Sequence, residues 1–409
     1  MELKTNYQYT YFIHPFVIRD GKYANYLLKL LKDKNCNLKI FQKEKDLKLY
    51  RYFLPKMREF LFSSFSYGSN KLKKLEELPI ETRVALLAKN PCNIFEYTLK
   101  KDMQGKIEKS NGIFFTIQKI EIICFSTGIC FLAIKTNVEE YTDFNNVLNF
   151  NYKFRDMNNE MAKLESYDNI RIQTDSFADT KTFQELIYSI TGSNAEAARL
   201  NIETERFLTY SYACVNQDAW SSNNSFDEIK YQFIKYANIL PADSSRDYEY
   251  EKIETFSKWK YAKLGLTKLG MTLFASSSDM SNYTILPEEY ENQYFYTYLF
   301  NLYKKIYLKK IELEMKDSIK VKKARKKFVE FTKNLWVQEI TEEETGSLLN
   351  EKLHEVFELD KLYHQVKYKY DILYKELNFE KERKTSIILA VILGVSLVLN
   401  IINFLQLQS

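Results

Sequence analysis

The chain has 409 residues, enough for two or three structural units, with 28% charged residues and a formal net charge of +5. A surplus that small argues by itself neither for nor against a nucleic-acid partner. The five cysteines (Cys36, Cys92, Cys124, Cys130, Cys214) lack C-x-x-C spacing and sit mostly in apolar runs, which excludes a disulfide frame or a cysteine metal centre.

Residues 1–285 alternate strand-like and helix-like runs. YQYTYFIHPF predicts a strand, GKYANYLLKLLKD a helix, and NLKIF and NIFEYTL further strands. IEIICFSTGICFLAIKT (120–136) predicts a hairpin turning at Ser126, Thr127 and Gly128. A second half starts near 165, with strand IRIQT, helix FQELIYSI, strand RFLTYSYACV, helix FDEIKYQFIKYA and the pair WKYAKLGLTKLGMTLFASS. The class is α/β (or α+β) with a mixed sheet. Residues 1–285 are read as a cytosolic ligand-sensing domain with possible halves 1–160 and 165–285.

Catalytic patterns are absent from the sequence. It contains no GxxxxGK[ST] or GxGxxG phosphate loop and no GxSxG elbow. Three histidines occur: His14 in the first strand, and His354 and His364 ten residues apart, which is not a metal clamp. The expectation is no enzyme, no metal site and no cofactor. Two polar loops offer a binding site instead: Trp220, Ser221, Ser222, Asn223 and Asn224 in one, and Ser276, Ser277, Ser278 and Asp279 in the other. Hydroxyls and amides beside an indole suit a small nucleotide-like ligand, by hydrogen bonding and stacking. Turn and capping chemistry is the alternative, with Ser225 and Glu228 spaced as a capping box.

Residues 286–384 are read as a helical hairpin and stalk. LPEEYENQ to KNLW predicts a helix over about 287–335, and VQEI a short link. Within it KKARKK (322–327) is taken as a solvated face, so no stable nucleic acid is expected. Thr341 and Glu344 form a T-x-x-E capping box. From there one helix is expected to run over about 342–405, roughly 95 Å at 1.5 Å per residue. Its seam is a heptad of Val356, Leu359, Tyr363, Val366, Tyr370, Leu373 and Leu377.

No Asp, Glu, Lys, Arg or His follows Lys384. The apolar residues of 387–405 would favour membrane entry by about 4–8 kcal/mol. Residues 385–409 are therefore expected to form a transmembrane helix. The charged EKERK before it predicts a single-pass cell-membrane protein with a cytoplasmic N-terminal domain, and no signal peptide is expected. Ser396, Asn400 and Asn403 share a face that Leu389 and Leu393 continue, and intramembrane amides seek partners. This face is expected to be a pore or oligomer interface, with the bilayer and other copies of the chain as partners.

The order of these parts resembles the CorA-like membrane proteins, and most closely the CorA-like effectors associated with type III CRISPR systems. The resemblance is carried by IEIICFSTGICFLAIK, FTKNLWVQEITEEETG and YDILYKELNFEKERKTSIILAVILG. The chain departs from metal-transporting CorA in lacking a second span and the Gly-Met-Asn loop; Gly270-Met271-Thr272 is not that triplet. The resemblance implies a homo-oligomeric membrane effector in antiviral defence, gated by a nucleotide second messenger, a conjugate of S-adenosylmethionine with AMP. A tail-anchored non-enzymatic scaffold is the alternative, and a divalent-cation transporter a weaker one.

Overall fold

In a computed structural model, the structure describes residues 3–66, 75, 77–99, 103–107, 113–138, 143–155, 170–173, 183–193, 195–197, 207–245, 253–316, 320–337 and 339–408. They form two compact units.

The first unit, Met1–Tyr307 with Val337–Glu358, is built on one mixed sheet. Its long strands are β1 (Thr5–Ile18), β3 (Cys92–Tyr97), β5 (Ile113–Phe125), β6 (Ile129–Val138), β9 (Leu208–Val215), β11 (Ala262–Thr267) and β12 (Gly270–Ser276). Shorter ones are β2 (Cys36–Leu38), β4 (Met103–Ile107), β7 (Ile170–Gln173), β8 (Ala195–Ala197) and β10 (Glu254–Phe256). The main order is β10-β11-β12-β9-β1-β6-β5-β3-β2. β1 pairs antiparallel with both β6 and β9, so the two sequence halves share one sheet. β12 runs parallel to β9. The expected hairpin is β5–β6, with Gly128 at φ +81°, a conformation glycine adopts without a Cβ penalty.

Strand alternation gives this sheet two buried faces. On β1, Phe12 and Phe16 enter one core with Leu27 and Leu30 of α1 (Tyr23–Lys32). Phe150 and Phe154 of a helix over Phe144–Arg155 complete it. On the other face Tyr9 and Tyr11 meet Tyr210 and Tyr212 of β9, and this tyrosine layer is covered by residues 282–298. Tyr9 donates to the Pro287 carbonyl at 3.0 Å, Tyr210 to the Tyr290 carbonyl at 2.5 Å, and Tyr212 to that of Asn282. Tyr11 donates to Glu291 Oε1 at 2.6 Å. The Tyr210 and Tyr290 rings stack with centroids 4.3 Å apart.

The expected helix over 287–335 is divided. A π-helical turn, Tyr290–Tyr294, precedes α2 (Phe295–Glu314), and α3 spans Val321–Asn334. The expected helix over 342–405 is also divided. α4 (Glu344–Val356) stops before Glu358, which sits at φ +52°, and α5 (Leu359–Gln408) follows. A left-handed residue breaks the α-helical hydrogen-bond run, and nothing in the heptad announces it. The α4 cap also differs from the expected box: Glu343 is the N-cap and accepts from the Thr345 and Gly346 amides, while Thr341 Oγ1 accepts from the Glu343 amide.

The second unit, Leu308–Trp336 with Leu359–Ser409, is helical. Among the described residues no helix is long and apolar enough to cross a membrane. α5 is long, but its first half is charged. This finding overturns the expected C-terminal transmembrane helix, and with it the single-pass cell-membrane location with a cytoplasmic N-terminal domain.

The phenol-to-helix bonds should show in stability. Tyr11→Phe removes a buried bond to a charged acceptor and is expected to lower the unfolding free energy by about 1.5–3 kcal/mol. Tyr7→Phe, at a half-exposed ring, should stay within about 0.5 kcal/mol. Urea unfolding of both variants checks this, and equal effects would deny the bond its role.

Candidate functional site

The two predicted polar loops do come together. They follow the C-terminal ends of β9 and β12, which are parallel neighbours, a position where open sheets commonly bind ligands. Ser276 Oγ and Ser278 Oγ donate to the Trp220 carbonyl at 2.5 and 2.7 Å. The Ser277 amide donates to the Val215 carbonyl at 2.9 Å. Within the first loop, the Ser221 amide donates to the Asn224 carbonyl, the Asn223 amide to Ser221 Oγ, and the Asn224 amide group to the Asp218 carbonyl. Ser222 and Asn223 are exposed. Asp279 accepts from the Ser281 hydroxyl and amide, and those bonds hold its carboxyl below the usual range.

Trp220 is placed differently from the stacking role expected of it. Its ring is buried against Phe226 at 5.0 Å and Phe274 at 6.4 Å, within an apolar cluster that includes Phe233 and Ile253. Ser225 lies at the start of a 3-10 turn but makes no side-chain cap bond. Ser276, Ser277 and Ser278 tie the second loop to the first, whereas the bonds of Ser221, Asn223, Asn224 and Asp279 stay within their own loop.

Sequence reasoning missed a charged network on the tyrosine face of the sheet. Glu121 of β5 is 1% exposed and lies 2.6 Å from Lys39 Nζ and 3.3 Å from Lys119 Nζ. Lys119 continues to Glu291 at 3.9 Å, and Glu291 pairs with Lys135 of β6 at 2.6 Å. Two backbone irregularities serve this network. A register shift between Ile117 and Lys119 displaces β5, and the π-helical turn carries Glu291. Burial would raise the Glu121 pKa, but Lys119 and Lys39 outweigh it and hold it at about 2. Burial likewise works against the Lys39 and Lys119 ammonium groups, and Glu121 reverses that. With Glu121 and Glu291 held ionised and Lys39 and Lys119 held protonated, the network clamps helix to sheet. The signal that was present is the pair Lys119 and Glu121, the two charged residues of a mostly apolar strand.

A second buried polar pair links α2 and α4. The Lys304 ammonium, fully buried, donates to His354 Nε2 at 2.8 Å, and Asn301 donates to Asn350 Oδ1 at 3.0 Å. Burial, then Lys304, pushes the His354 pKa down to about 3. Burial alone pushes His14 down to about 4. All five cysteines are buried free thiols, and burial raises Cys36 and Cys214 to about 12. Among the described residues no group of His, Cys, Asp and Glu is arranged to hold a metal ion.

The stalk seam closes within the chain. Tyr363 stacks on Trp336 at 4.3 Å and lies 5.4 Å from Phe328 of α3, and Tyr370 is also 5.4 Å from Phe328. Leu359 and Val366 are buried, Leu373 half-buried, and Val356 half-buried in α4 on the other side of the break. Of KKARKK, Lys327 pairs with Glu314 at 2.7 Å, Arg325 lies over Tyr370 and Tyr374, and Lys322, Lys323 and Lys326 face solvent. Further along, Leu389, Leu393, Ser396 and Asn400 are exposed. The side chains of Leu377 and Asn403 lie outside the described residues.

Comparison with protein-family profiles, with curated proteins and with solved structures returns no match.

Two half-buried imidazoles held neutral make the fold sensitive to acid. The unfolded chain takes up these protons below pH 6.5, whereas the folded chain resists until about pH 4 at His14 and about pH 3 at His354. Stability therefore falls as pH drops below 6.5, by about 3 kcal/mol per histidine at pH 4. Glu121 acts lower, its contribution present above pH 4.5 and lost as pH falls toward 2. His14→Gln and His354→Gln should each flatten the urea midpoint between pH 7 and 4; unchanged slopes would refute the neutral state.

Proposed function

We propose that the protein is a non-enzymatic, self-associating effector. In this reading the β-rich unit receives a small nucleotide-like ligand and copies of the chain assemble through α5. The observation that carries it is the bare surface of α5. Ten apolar side chains between Ile387 and Leu399 are each 54–69% exposed. They lie on all sides of the helix, and a helix apolar all round requires cover. At the roughly 60–120 Å² that full burial of one such side chain removes, they offer on the order of 500 Å². Isolated monomers show patches of about 300–600 Å² at most, so this segment is at that ceiling.

Nothing in the described charge pairs supplies an acid, base or nucleophile in working form, which supports binding over chemistry. The ligand half rests on the loops at the ends of β9 and β12, and on the resemblance, which makes an S-adenosylmethionine–AMP conjugate the first ligand to try. A preference of the ligand for one assembly state is what would make it a signal; moving 1:99 to 99:1 takes about 5.5 kcal/mol of differential binding. The buried position of Trp220 favours, as a second reading, a scaffold that needs no small ligand.

Sedimentation of the full chain tests the assembly. The wild type should run as a multimer at micromolar concentration, and Leu389→Lys with Leu393→Lys as a monomer. A monomeric wild type, or one that floats with phospholipid vesicles without associating with itself, overturns the proposal. Titration calorimetry with the conjugate separates ligand-gated effector from scaffold.

A further inference from the structure

Of the five thiols, two face each other. In the β5–β6 pairing Cys124 stands directly opposite Cys130, whereas Cys36 opposes Tyr97, Cys92 opposes Phe125, and Cys214 opposes Tyr7 and Ala275. Opposed residues of an antiparallel pair have Cα atoms about 4.5–5.5 Å apart, inside the roughly 4.4–6.8 Å that a disulfide spans. Both side chains enter the same core face, beside Ile122 and Leu132. Burial, then a hydrogen bond with the Cys130 thiol, holds the Cys124 thiol well above its usual pKa. Three backbone bonds pin the turn that sets this opposition. The Gly128 amide donates to the Phe125 carbonyl at 2.9 Å, the Ile18 amide to the Gly128 carbonyl at 2.7 Å, and the Ser126 amide to the Pro91 carbonyl at 2.9 Å. Sequence spacing conceals the pair, because positions 124 and 130 become neighbours only through that turn.

We propose that Cys124 and Cys130 are a redox pair, oxidised by a peroxide to a cross-strand disulfide that latches the β5–β6 hairpin. In the opened turn one thiolate attacks a peroxide oxygen, giving a sulfenic acid and, from hydrogen peroxide, one water. The second thiol displaces the sulfenic oxygen as another water and forms the S–S bond. Two thiols thereby lose two electrons, and the peroxide gains them. A thiol reductant reverses the step by exchange. The oxidant has to be small, since both side chains are fully buried. It enters by local opening of the turn, where Ser126 is exposed two residues from Cys124. A thiol kept protonated by burial reacts slowly, so the pair answers sustained oxidation and not a brief pulse. The bond joins the two strands that carry Lys119, Glu121 and Lys135 of the charged network.

Peptide mapping of the full chain tests this. Trypsin releases residues 120–135 as one peptide that holds both thiols and no methionine. After treatment with hydrogen peroxide, unfolding and alkylation, that peptide should carry no alkyl group and be lighter than its reduced form by two hydrogens. Cys36, Cys92 and Cys214 should still be alkylated, and dithiothreitol should restore both alkyl groups to 120–135. Met280, 68% exposed, marks the dose. If Met280 is fully converted to its sulfoxide while 120–135 remains doubly alkylated, or if another thiol is consumed first, the pairing is overturned. A peptide that gains oxygen without losing hydrogens overturns it too. The latch has its own readout: the oxidised chain should unfold at higher urea than the reduced one, since a cross-link restricts the unfolded chain. Cys130→Ser should abolish the light peptide and the midpoint gain together. An equal or lower midpoint after oxidation sinks the latch.

Discussion

The fold depends on polar bonds made inside an aromatic layer. Tyr9, Tyr11, Tyr210 and Tyr212 reach from the sheet to three backbone carbonyls and one carboxylate on the segment from Asn282 to Glu291. A phenol buried without a partner is costly, so each ring fixes where that segment lies. The ionic chain from Lys39 to Lys135 extends the same constraint across β5 and β6. Burying charge gives little net stability, but it penalises any other seating of the helix. The π-helical turn lies in this segment, where Tyr290, Glu291 and Phe295 face the sheet and Tyr294 meets Tyr52 and Trp259.

Close packing then fixes details that sequence patterns do not specify. A Cβ at Gly270 would lie 2.1 Å from the Thr209 carbonyl, so the approach of β12 to β9 needs glycine there. Gly346 plays the same part for α4, where a Cβ would meet the Tyr52 hydroxyl at 2.3 Å. Lys304 and His354 are tolerated between α2 and α4 because each satisfies the other.

Local periodicity made the sheet legible. The strands around YQYTYFIHPF, the β5–β6 hairpin and the pair ending in MTLFASS all follow from alternation and one well-placed glycine. Three features were out of reach, two because a distant partner decides them and one because it lies in the backbone. Trp220 looked like a ligand platform because its neighbours are polar, but Phe274 and Phe226 draw it inward. The break at Glu358 lies inside a continuous heptad, and backbone handedness leaves no mark on hydrophobic spacing. The stalk heptad fits a packed helix as well as a coiled coil, and its spacing does not name Trp336 and Phe328 as the rings that fill it from within.

The chain passes between its two units three times, after Tyr307, after Trp336 and after Glu358. No single cleavage or truncation can therefore part them. A ribosome must have delivered α4 before the β-rich unit holds all its pieces, since until then the slot beside Asn301 and Lys304 has no occupant. Gene fusion or shuffling at this locus would have to move the two units as one inheritance.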